Sequence, residues 1–272
     1  MDRPTTRPNA ELPLLPDRAA YARPVRLSVA APAFNEAGAL RAVIEGWLDY
    51  LTHLEGLAEF EIVVCNDGSR DATGAILDTL ARERHEVRPL HFAVNQGAAA
   101  ALTAAIAATR FDWVLLIDAD GQFPMTNLAA MLAAVRAQRV PAVIGIRQKK
   151  DRRFARFGTA SSALVCNLVH RSAIRDFNSA FKLVWGPLLR ALDFEARGMN
   201  YSTEVTSRLL ESGVPITQLA IEHRPRAAGA SNMKLFRGAV DRLLFVTYIA
   251  LRQALLGTGV LRRPLSLHER LS

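Results

Sequence analysis

Two carboxylates one residue apart, Asp118 and Asp120, stand in the segment Asp118-Ala119-Asp120-Gly121-Gln122. Just before them, Trp113-Val114-Leu115-Leu116-Ile117 is a short apolar run of the kind that makes a strand buried on both faces. Alternate residues of an extended chain point the same way, so the two aspartates converge if the strand persists, or after a tight turn at Gly121. Paired carboxylates repel each other unless a cation lies between them. A small set of oxygen ligands suits Mg²⁺ or Mn²⁺, with phosphate oxygens completing the shell. The same residues also make a solvated Asp-Gly turn, and the pair alone does not decide between the two.

The elements around the pair bear on that choice. Arg26 to Pro32 reads as a strand, and from Leu40 the apolar positions Val43, Ile44, Trp47, Leu48 and Leu51 follow helical spacing. Phe60 to Cys65 is a second strand and Asp71 to Arg84 a second helix. Val87 to Ala93 is a third strand, followed by a helix from Gly97 to Ala108 with eight alanines in twelve residues. That alanine face predicts close helix-on-sheet packing. Phe111 to Ile117 is strand four, Pro124 to Gln138 a helix with proline in its first turn, and Val140 to Ile146 strand five. Alternation with short connections predicts an α/β fold with a doubly wound, mostly parallel sheet flanked by helices. Ligands of such sheets bind beyond the carboxyl ends of the strands. Asn35-Glu36, Asn66-Asp67-Gly68-Ser69, Asn95-Gln96-Gly97 and Asp118-Ala119-Asp120 follow strands one to four in turn, so all four clusters fall on one edge. This shared edge favours a cation between the aspartates.

The remainder is less regular. Arg152 to Arg171 reads as helical, Phe177 to Val184 as strand-like, and Pro187 to Phe194 as a short helix. Tyr201 to Ser212 is a helix ended by Gly213, and Val214 to Glu222 a final strand. Phe236 to Leu256 reads as one long amphipathic or mostly apolar helix. The expected organisation is a disordered or loosely attached arm over residues 1–24, a domain over 25–232, and a C-terminal helix and tail over 233–272. The arm carries five prolines and four arginines without periodicity.

A chain of 272 residues that is half apolar can bury a large core. Two cysteines, Cys65 and Cys166, are too few for a disulfide framework, which fits a reducing cytosol. No charged start followed by an apolar stretch suggests a signal peptide. The apolar run Leu243 to Leu251 has nine residues, whereas crossing a bilayer takes about 20. The net charge of +8 is uneven: from Arg136 to Arg175 there are ten Lys or Arg residues and one acid, Asp151. Such density suits phosphate-bearing partners, or it is a solvated basic helix face. Nucleic acid is disfavoured, since the chain has no zinc-ligand spacing, no aromatic RNA-binding strand and few aromatics.

Neither G-x-x-x-x-G-K-[ST] nor G-x-G-x-x-G follows a strand, so a diphosphate needs another holder. A metal on Asp118 and Asp120 supplies one. Asp67 could accept hydrogen bonds from a base or ribose, or close an Asp-Gly turn.

Six segments in order carry a family resemblance. They are Pro32-Ala33-Phe34-Asn35-Glu36, Asn66-Asp67-Gly68-Ser69-Arg70-Asp71-Ala72-Thr73, Asn95-Gln96-Gly97, Asp118 to Pro124, Asp176-Phe177-Asn178-Ser179-Ala180-Phe181-Lys182 and Arg226-Ala227-Ala228-Gly229-Ala230-Ser231. Together they resemble the signature of family 2 glycosyltransferases of the GT-A fold, and most closely the dolichol-phosphate mannosyltransferase and polyprenyl-phosphate glycosyltransferase branch. The resemblance spans about residues 26 to 234. It implies that Pro32, Asn35, Glu36 and Asp67 line a nucleotide pocket, and that Asp118, Asp120 and Gln122 meet the metal and diphosphate. It also implies that Arg147, Arg156 and Arg226, with Ser179, Lys182 and Ser231, meet the donor and acceptor phosphates. Ala180 departs from the family's usual Gly, and Asn232 from its usual Lys.

Glycosyl transfer needs a leaving nucleoside diphosphate stabilised as negative charge develops. An alcohol acceptor also needs a general base, whereas a phosphate monoester, with a second pKa of about 6, is already anionic. Asp176 and Glu204 are the carboxylates available as base if the acceptor is a hydroxyl. The leading expectation is inverting, metal-dependent transfer from a UDP- or GDP-linked sugar to a polyprenyl phosphate, at the cytosolic face of a membrane. Arg237, Arg242, Arg252, Arg262 and Arg263 would hold the C-terminal helix on an anionic surface, unless that helix packs on the domain, a second copy or a membrane-protein partner. A hydroxyl acceptor, or a catalytically silent nucleotide-sugar-binding subunit, are the alternatives.

Overall fold

Among the described residues, short apolar runs separated by amphipathic segments produce one seven-stranded sheet. The computed structural model describes residues 14–148, 163–195 and 200–225, and further on 244–245, 247–252, 254–255 and 258. The strands are β1 (Val25–Ala33), β2 (Leu57–Asn66), β3 (Val87–His91), β4 (Trp113–Leu116), β5 (Ala142–Arg147), β6 (Lys182–Trp185) and β7 (Ile216–Ile221). The helices are α1 (Leu40–Thr52), α2 (Thr73–Glu83), α3 (Ala98–Ala108), α4 (Asn127–Gln138), α5 (Gly186–Arg190) and α6 (Tyr201–Glu211). Residues 163–170 are also helical.

The strand order is β3-β2-β1-β4-β6-β5-β7. The chain winds outward from β1 to β3, then returns to lay β4 on the other side of β1. All of these pairings are parallel, as is β5 with β7. The doubly wound, mostly parallel sheet expected from the alternation is therefore present. Between β1 and β4 the winding reverses, and in open α/β sheets that reversal opens the ligand crevice.

β6 is the exception, running antiparallel to both β4 and β5. The sequence suggested a strand from Phe177, yet the ladder begins only at Lys182. The residues before it are drawn into a loop: Asp176 takes both its oxygens to Arg147, and the Asn178 N–H turns back to Asp176 Oδ1. α4 likewise starts at Asn127, three residues after the proline expected to open it. Pro124 instead lends its carbonyl to the Asn127 N–H in a lead-in turn.

Packing follows the patterns that made the elements legible. α1 buries Leu40, Ile44, Trp47, Leu48 and Leu51, each such side chain worth about 1.5–3 kcal/mol of transfer free energy. α3 lies on β1 and β2 through Ala99, Ala101, Leu102, Ala105 and Ile106, where methyl side chains allow close approach. Part of the expected loose arm also packs. Leu14, Leu15, Ala20 and Tyr21 lie against the core, and the Tyr21 ring is 6.2 Å from that of Trp113. The arginines and prolines of this stretch obscured three residues large enough to hold it down. Cys65 and Cys166 are buried free thiols, pushed by burial up to about 12 and about 11 respectively, and so inert.

One buried carboxylate braces the sheet. Glu61, in β2, accepts from Ser28 Oγ at 2.7 Å, the Arg110 N–H at 2.7 Å, Arg110 Nε at 2.8 Å and Arg88 at 2.5 Å. Burial alone would raise its pKa, but these donors win and hold it below the usual carboxylate range. Glu61→Gln is expected to cost about 2–3 kcal/mol of unfolding free energy in urea titrations at pH 7, since buried donors lose their ionised acceptor. The half-exposed arginines keep the cost from rising further. A loss under 0.5 kcal/mol would show the cluster to be dispensable.

Candidate active site

The carboxyl ends of β1, β2, β3, β4, β5 and β7 and the start of β6 share one edge, and the candidate residues gather there. Asp118 and Asp120 follow β4 directly, and Gly121 turns the chain with φ +75°. A side chain at Gly121 would press on Val43 of α1 at 3.1 Å. Asp118 is half-buried, and its carboxyl is pushed up to about 6, chiefly by burial and then by the charge of Asp120. Asp120 Oδ1 accepts the Gln122 N–H at 3.0 Å. The phenol of Tyr201, the first residue of α6, donates to Asp118 Oδ1.

Two carboxylates that repel each other in a desolvated place are a fit for a divalent cation. Among the described residues no group of three or more His, Cys, Asp or Glu could hold a metal. A cation on Asp118 and Asp120 would therefore complete its shell with oxygens of another kind, as Mg²⁺ does with substrate phosphates. The Gln122 amide donates to the Arg224 carbonyl at 3.2 Å, and Arg224 N–H returns a bond to Gln122 O at 2.8 Å. With Asn127 gripping the backbone of Glu222 at 2.9 Å on both sides, this stitches the chain after β7 onto the aspartate loop. His223 thereby comes to lie edge-on to Phe123, with 4.8 Å between ring centres.

The loops after β1 and β2 brace one another. Asn35, at φ +55°, donates its N–H to Ser69 Oγ and accepts the Arg70 N–H, both at 2.9 Å. The Glu36 N–H bonds Thr73 Oγ1 at 2.9 Å, and the Ala37 N–H bonds Asp71 at 3.1 Å. Pro32 lies within β1 opposite Cys65, beyond Ala30, where the register with β4 stops. Its missing N–H therefore costs no ladder bond on that side. Asp67, 2% exposed, accepts from Asn95 Nδ2 and from the Gln96 and Gly97 N–H groups at the entrance to α3. Gly68 follows at φ +64°, and a methyl there would meet the backbone of Val94 and Asn95 at 2.4 and 2.5 Å. The segment from Asn66 to Thr73 thus builds the crevice wall as much as it could line it.

On the far side of Asp118 lies a second group of charges. Arg147 ends β5 and grips Asp176 with both nitrogens, Nε at 2.8 Å and Nη2 at 2.9 Å. Burial would raise the Asp176 pKa, but the guanidinium prevails and holds it below its usual value. Lys182, 1% exposed, donates to the Ser179 carbonyl. Burial pushes its ammonium down to about 7, against the attraction of Asp176 and Asp118. Ser179 Oγ is buried without a hydrogen-bond partner among the described residues.

Glu204 belongs elsewhere. It is buried on α6, accepts the Glu195 N–H at 2.8 Å, and pairs with Arg208 at 3.0 Å. Arg208 also meets Glu211, which pairs in turn with Arg252 at 2.7 Å. Arg252, expected among lipid-facing arginines, is thus 8% exposed and committed to the domain. In the helical stretches 244–245 and 247–252, Leu244 and Leu251 are 63% and 60% exposed. Arg156, Arg226 and Ser231 lie outside the described residues, as do Arg237, Arg242, Arg262 and Arg263.

Comparison with known proteins agrees with the architecture. The Glycosyl transferase family 2 model matches residues 28–198. Glycosyltransferase AglD of Haloferax volcanii is 30% identical over 233 residues, covering 83% of this chain and 36% of that protein. The dolichyl-phosphate beta-glucosyltransferase ALG5A of Trichomonas vaginalis is 31% identical over 173 residues, covering 58% of this chain and 53% of that protein. The chain thus spans about a third to a half of the length of these two. The undecaprenyl-phosphate mannosyltransferase of Micrococcus luteus is 25% identical over 221 residues, covering 77% of this chain and 88% of that one. In fold, the chain resembles glucosyl-3-phosphoglycerate synthase from Mycobacterium tuberculosis in complex with Mn²⁺ and UDP-glucose, with a TM-score of 0.66 at 19% identity, covering 87% of this chain and 82% of that chain. A switch-point crevice edged by Asp118 and Asp120, in a chain whose residues 28–198 match the family model, makes this protein a member of glycosyl transferase family 2.

Proposed function

We propose that the chain transfers a sugar, with inversion at the anomeric carbon, from a nucleotide-sugar to a polyprenyl phosphate. The observation that carries the choice of acceptor is the state of the two carboxylates available as general base. Asp176 is held by Arg147 at a lowered pKa, and Glu204 is buried against Arg208. Neither is free to take a proton from a hydroxyl, whereas a phosphate monoester needs none removed. The names of the relatives point the same way, one acting on dolichyl phosphate and one on undecaprenyl phosphate.

In this reading Asp118 and Asp120 hold Mg²⁺ or Mn²⁺, with Gln122 beside them. The cation, when bound, neutralises charge on the departing diphosphate. Pro32, Asn35, Glu36 and Asp67 form the nucleoside side of the crevice. Arg147, Lys182 and Ser179, with Arg156, Arg226 and Ser231, steer the acceptor phosphate toward the anomeric carbon. A phosphate oxygen of the acceptor bonds to that carbon as the carbon–oxygen bond to the diphosphate breaks, and its electron pair leaves with the nucleotide. An arriving phosphate also favours the ammonium form of Lys182, which burial otherwise disfavours. The transferase domain runs over residues 25–232 and works as a peripheral protein at the cytosolic membrane face. Among the described residues no helix is long and apolar enough to cross a membrane.

The test is an acceptor panel. With Mn²⁺ or Mg²⁺ and UDP- or GDP-linked hexoses, purified protein should glycosylate a short-chain prenyl phosphate presented in detergent. The anomeric configuration of the product, read by NMR, should be opposite to that of the donor. Transfer only to sugar or protein hydroxyls would overturn the acceptor, and retention would overturn the stereochemistry.

A further inference from the structure

Tyr201 joins the aspartate pair from an element that the sequence motifs do not touch. Its phenol donates to Asp118 Oδ1 across 83 residues of chain, and the side chain is 7% exposed. A tyrosine left to itself at a helix start would turn its hydroxyl to water. Here the helix that carries it is among the most enclosed of the described elements, with Tyr201 through Leu209 all buried although six of the nine are Ser, Thr, Glu or Arg, at 202–204 and 206–208, with only Val205 apolar between them. That polar helix is pinned at several points. Thr203 Oγ1 donates to Asn178 Oδ1 at 2.6 Å, Thr206 Oγ1 donates to the Phe177 carbonyl at 3.4 Å, and Glu204 accepts the Glu195 N–H at 2.8 Å. Glu211 at its far end is held by Arg252.

We propose that Tyr201 is a positioning residue for the cation site: its O–H fixes the rotamer of Asp118 and occupies one carboxylate oxygen. The other oxygen is then presented toward Asp120. This inference rests on the reading of Asp118 and Asp120 as cation ligands given above. A carboxylate beside a second carboxylate swings away from it unless something holds it, and the phenol supplies that restraint without adding charge. It also limits Asp118 to a single ligating oxygen, the arrangement that a small, strongly directional ion accepts together with phosphate oxygens. Groups that orient a metal ligand from behind typically change affinity by about 10–100-fold when removed.

The experiment measures Mn²⁺ uptake by electron paramagnetic resonance, in the presence of UDP and separately of GDP, on wild type, Asp120→Asn, Tyr201→Phe and Tyr201→His. Wild type should bind Mn²⁺ and Asp120→Asn should not. Tyr201→Phe, which keeps the ring, should bind about 10–100-fold more weakly, and Tyr201→His, which restores a donor, should regain part of the loss. Melting of the metal-free variants reports whether the fold survives. A tyrosine with a merely structural role would lower the melting temperature and leave Mn²⁺ affinity within twofold of wild type in both variants, and that result would overturn the proposal while leaving the cation reading intact. A wild-type protein that takes up no Mn²⁺ with either nucleotide would overturn both.

Discussion

Asp120→Asn is expected to reduce kcat/KM for sugar transfer by about 10³-fold, the equivalent of roughly 4 kcal/mol of transition-state stabilisation, while leaving the fold as stable as before or slightly more so. The two effects have one source. Burial raises the pKa of the Asp118 carboxyl, and the charge of the neighbouring Asp120 raises it further, up to about 6. Removing the Asp120 charge relieves that repulsion in the metal-free protein. The asparagine Oδ1 still accepts the Gln122 N–H that Asp120 Oδ1 accepts at 3.0 Å, so the turn survives. What is lost is the second anionic ligand of a cation. A thermal-shift series with nucleotide-sugars, with and without Mn²⁺, separates these outcomes. In wild type, a donor at 100 times its Kd should add about 2.7 kcal/mol of stability, and only when the metal is present. The variant should show no metal-dependent increment. Undiminished metal-dependent stabilisation in Asp120→Asn would exclude this carboxylate from the site, and so would full turnover. Measurable donor hydrolysis by wild type, lost in the variant, would set aside a catalytically silent subunit.

The sheet was legible because its signals are local. Val114 to Ile117, Ile62 to Cys65 and Val29 to Ala31 are uninterrupted apolar runs that only a strand covered on both faces can bury. The helices between them announce their buried side at α1 by Ile44, Trp47, Leu48 and Leu51. Once the strands are parallel, the polar residues that follow each one must share an edge. Asn35, Asp67, Asn95 and Asp118 were placed by that rule alone. What a local pattern cannot convey is which side chain meets which across the fold. Nothing near Tyr201 in sequence marks it as the partner of Asp118, and nothing near Glu204 separates a candidate base from the anchor of Arg208. The direction of β6 was hidden for a similar reason. Phe177 to Val184 has the composition of a strand, but the ion pair between Asp176 and Arg147, formed across 29 residues, holds its first half in a loop. Within residues 14–24 of the N-terminal arm, Leu14, Leu15 and Tyr21 reach the core despite the prolines around them.

The same ion pair carries the second large expected effect. Arg147 and Asp176 are 19% and 8% exposed and make two short parallel bonds, so breaking the pair leaves a buried charge behind. Arg147→Met is expected to cost about 3 kcal/mol of unfolding free energy at pH 7, the low end for a buried pair because the arginine keeps some contact with water. The pH dependence has a definite sign. The folded-state pKa of Asp176 lies below its ordinary value of 3.8, so the stability it contributes is fully present above about pH 4 and is lost as pH falls through the folded value. Wild type and Arg147→Met should therefore differ most at neutral pH and converge in acid. Urea unfolding at pH 7 and again near pH 3 reads this directly, and a gap that widens in acid would contradict the assignment. Asp176→Asn probes the other half of the pair. It should also destabilise, by leaving Arg147 without its counter-charge, but a folded variant should still transfer sugar to a prenyl phosphate, since that acceptor brings its own negative charge. The freed guanidinium should also lower KM for the phosphate acceptor. Were Asp176 the base for a hydroxyl acceptor, the same substitution would abolish turnover and leave donor binding untouched. The two chemistries thus predict opposite fates for one conservative change, and the carboxylate that structure ties to Arg147 is the place where they separate.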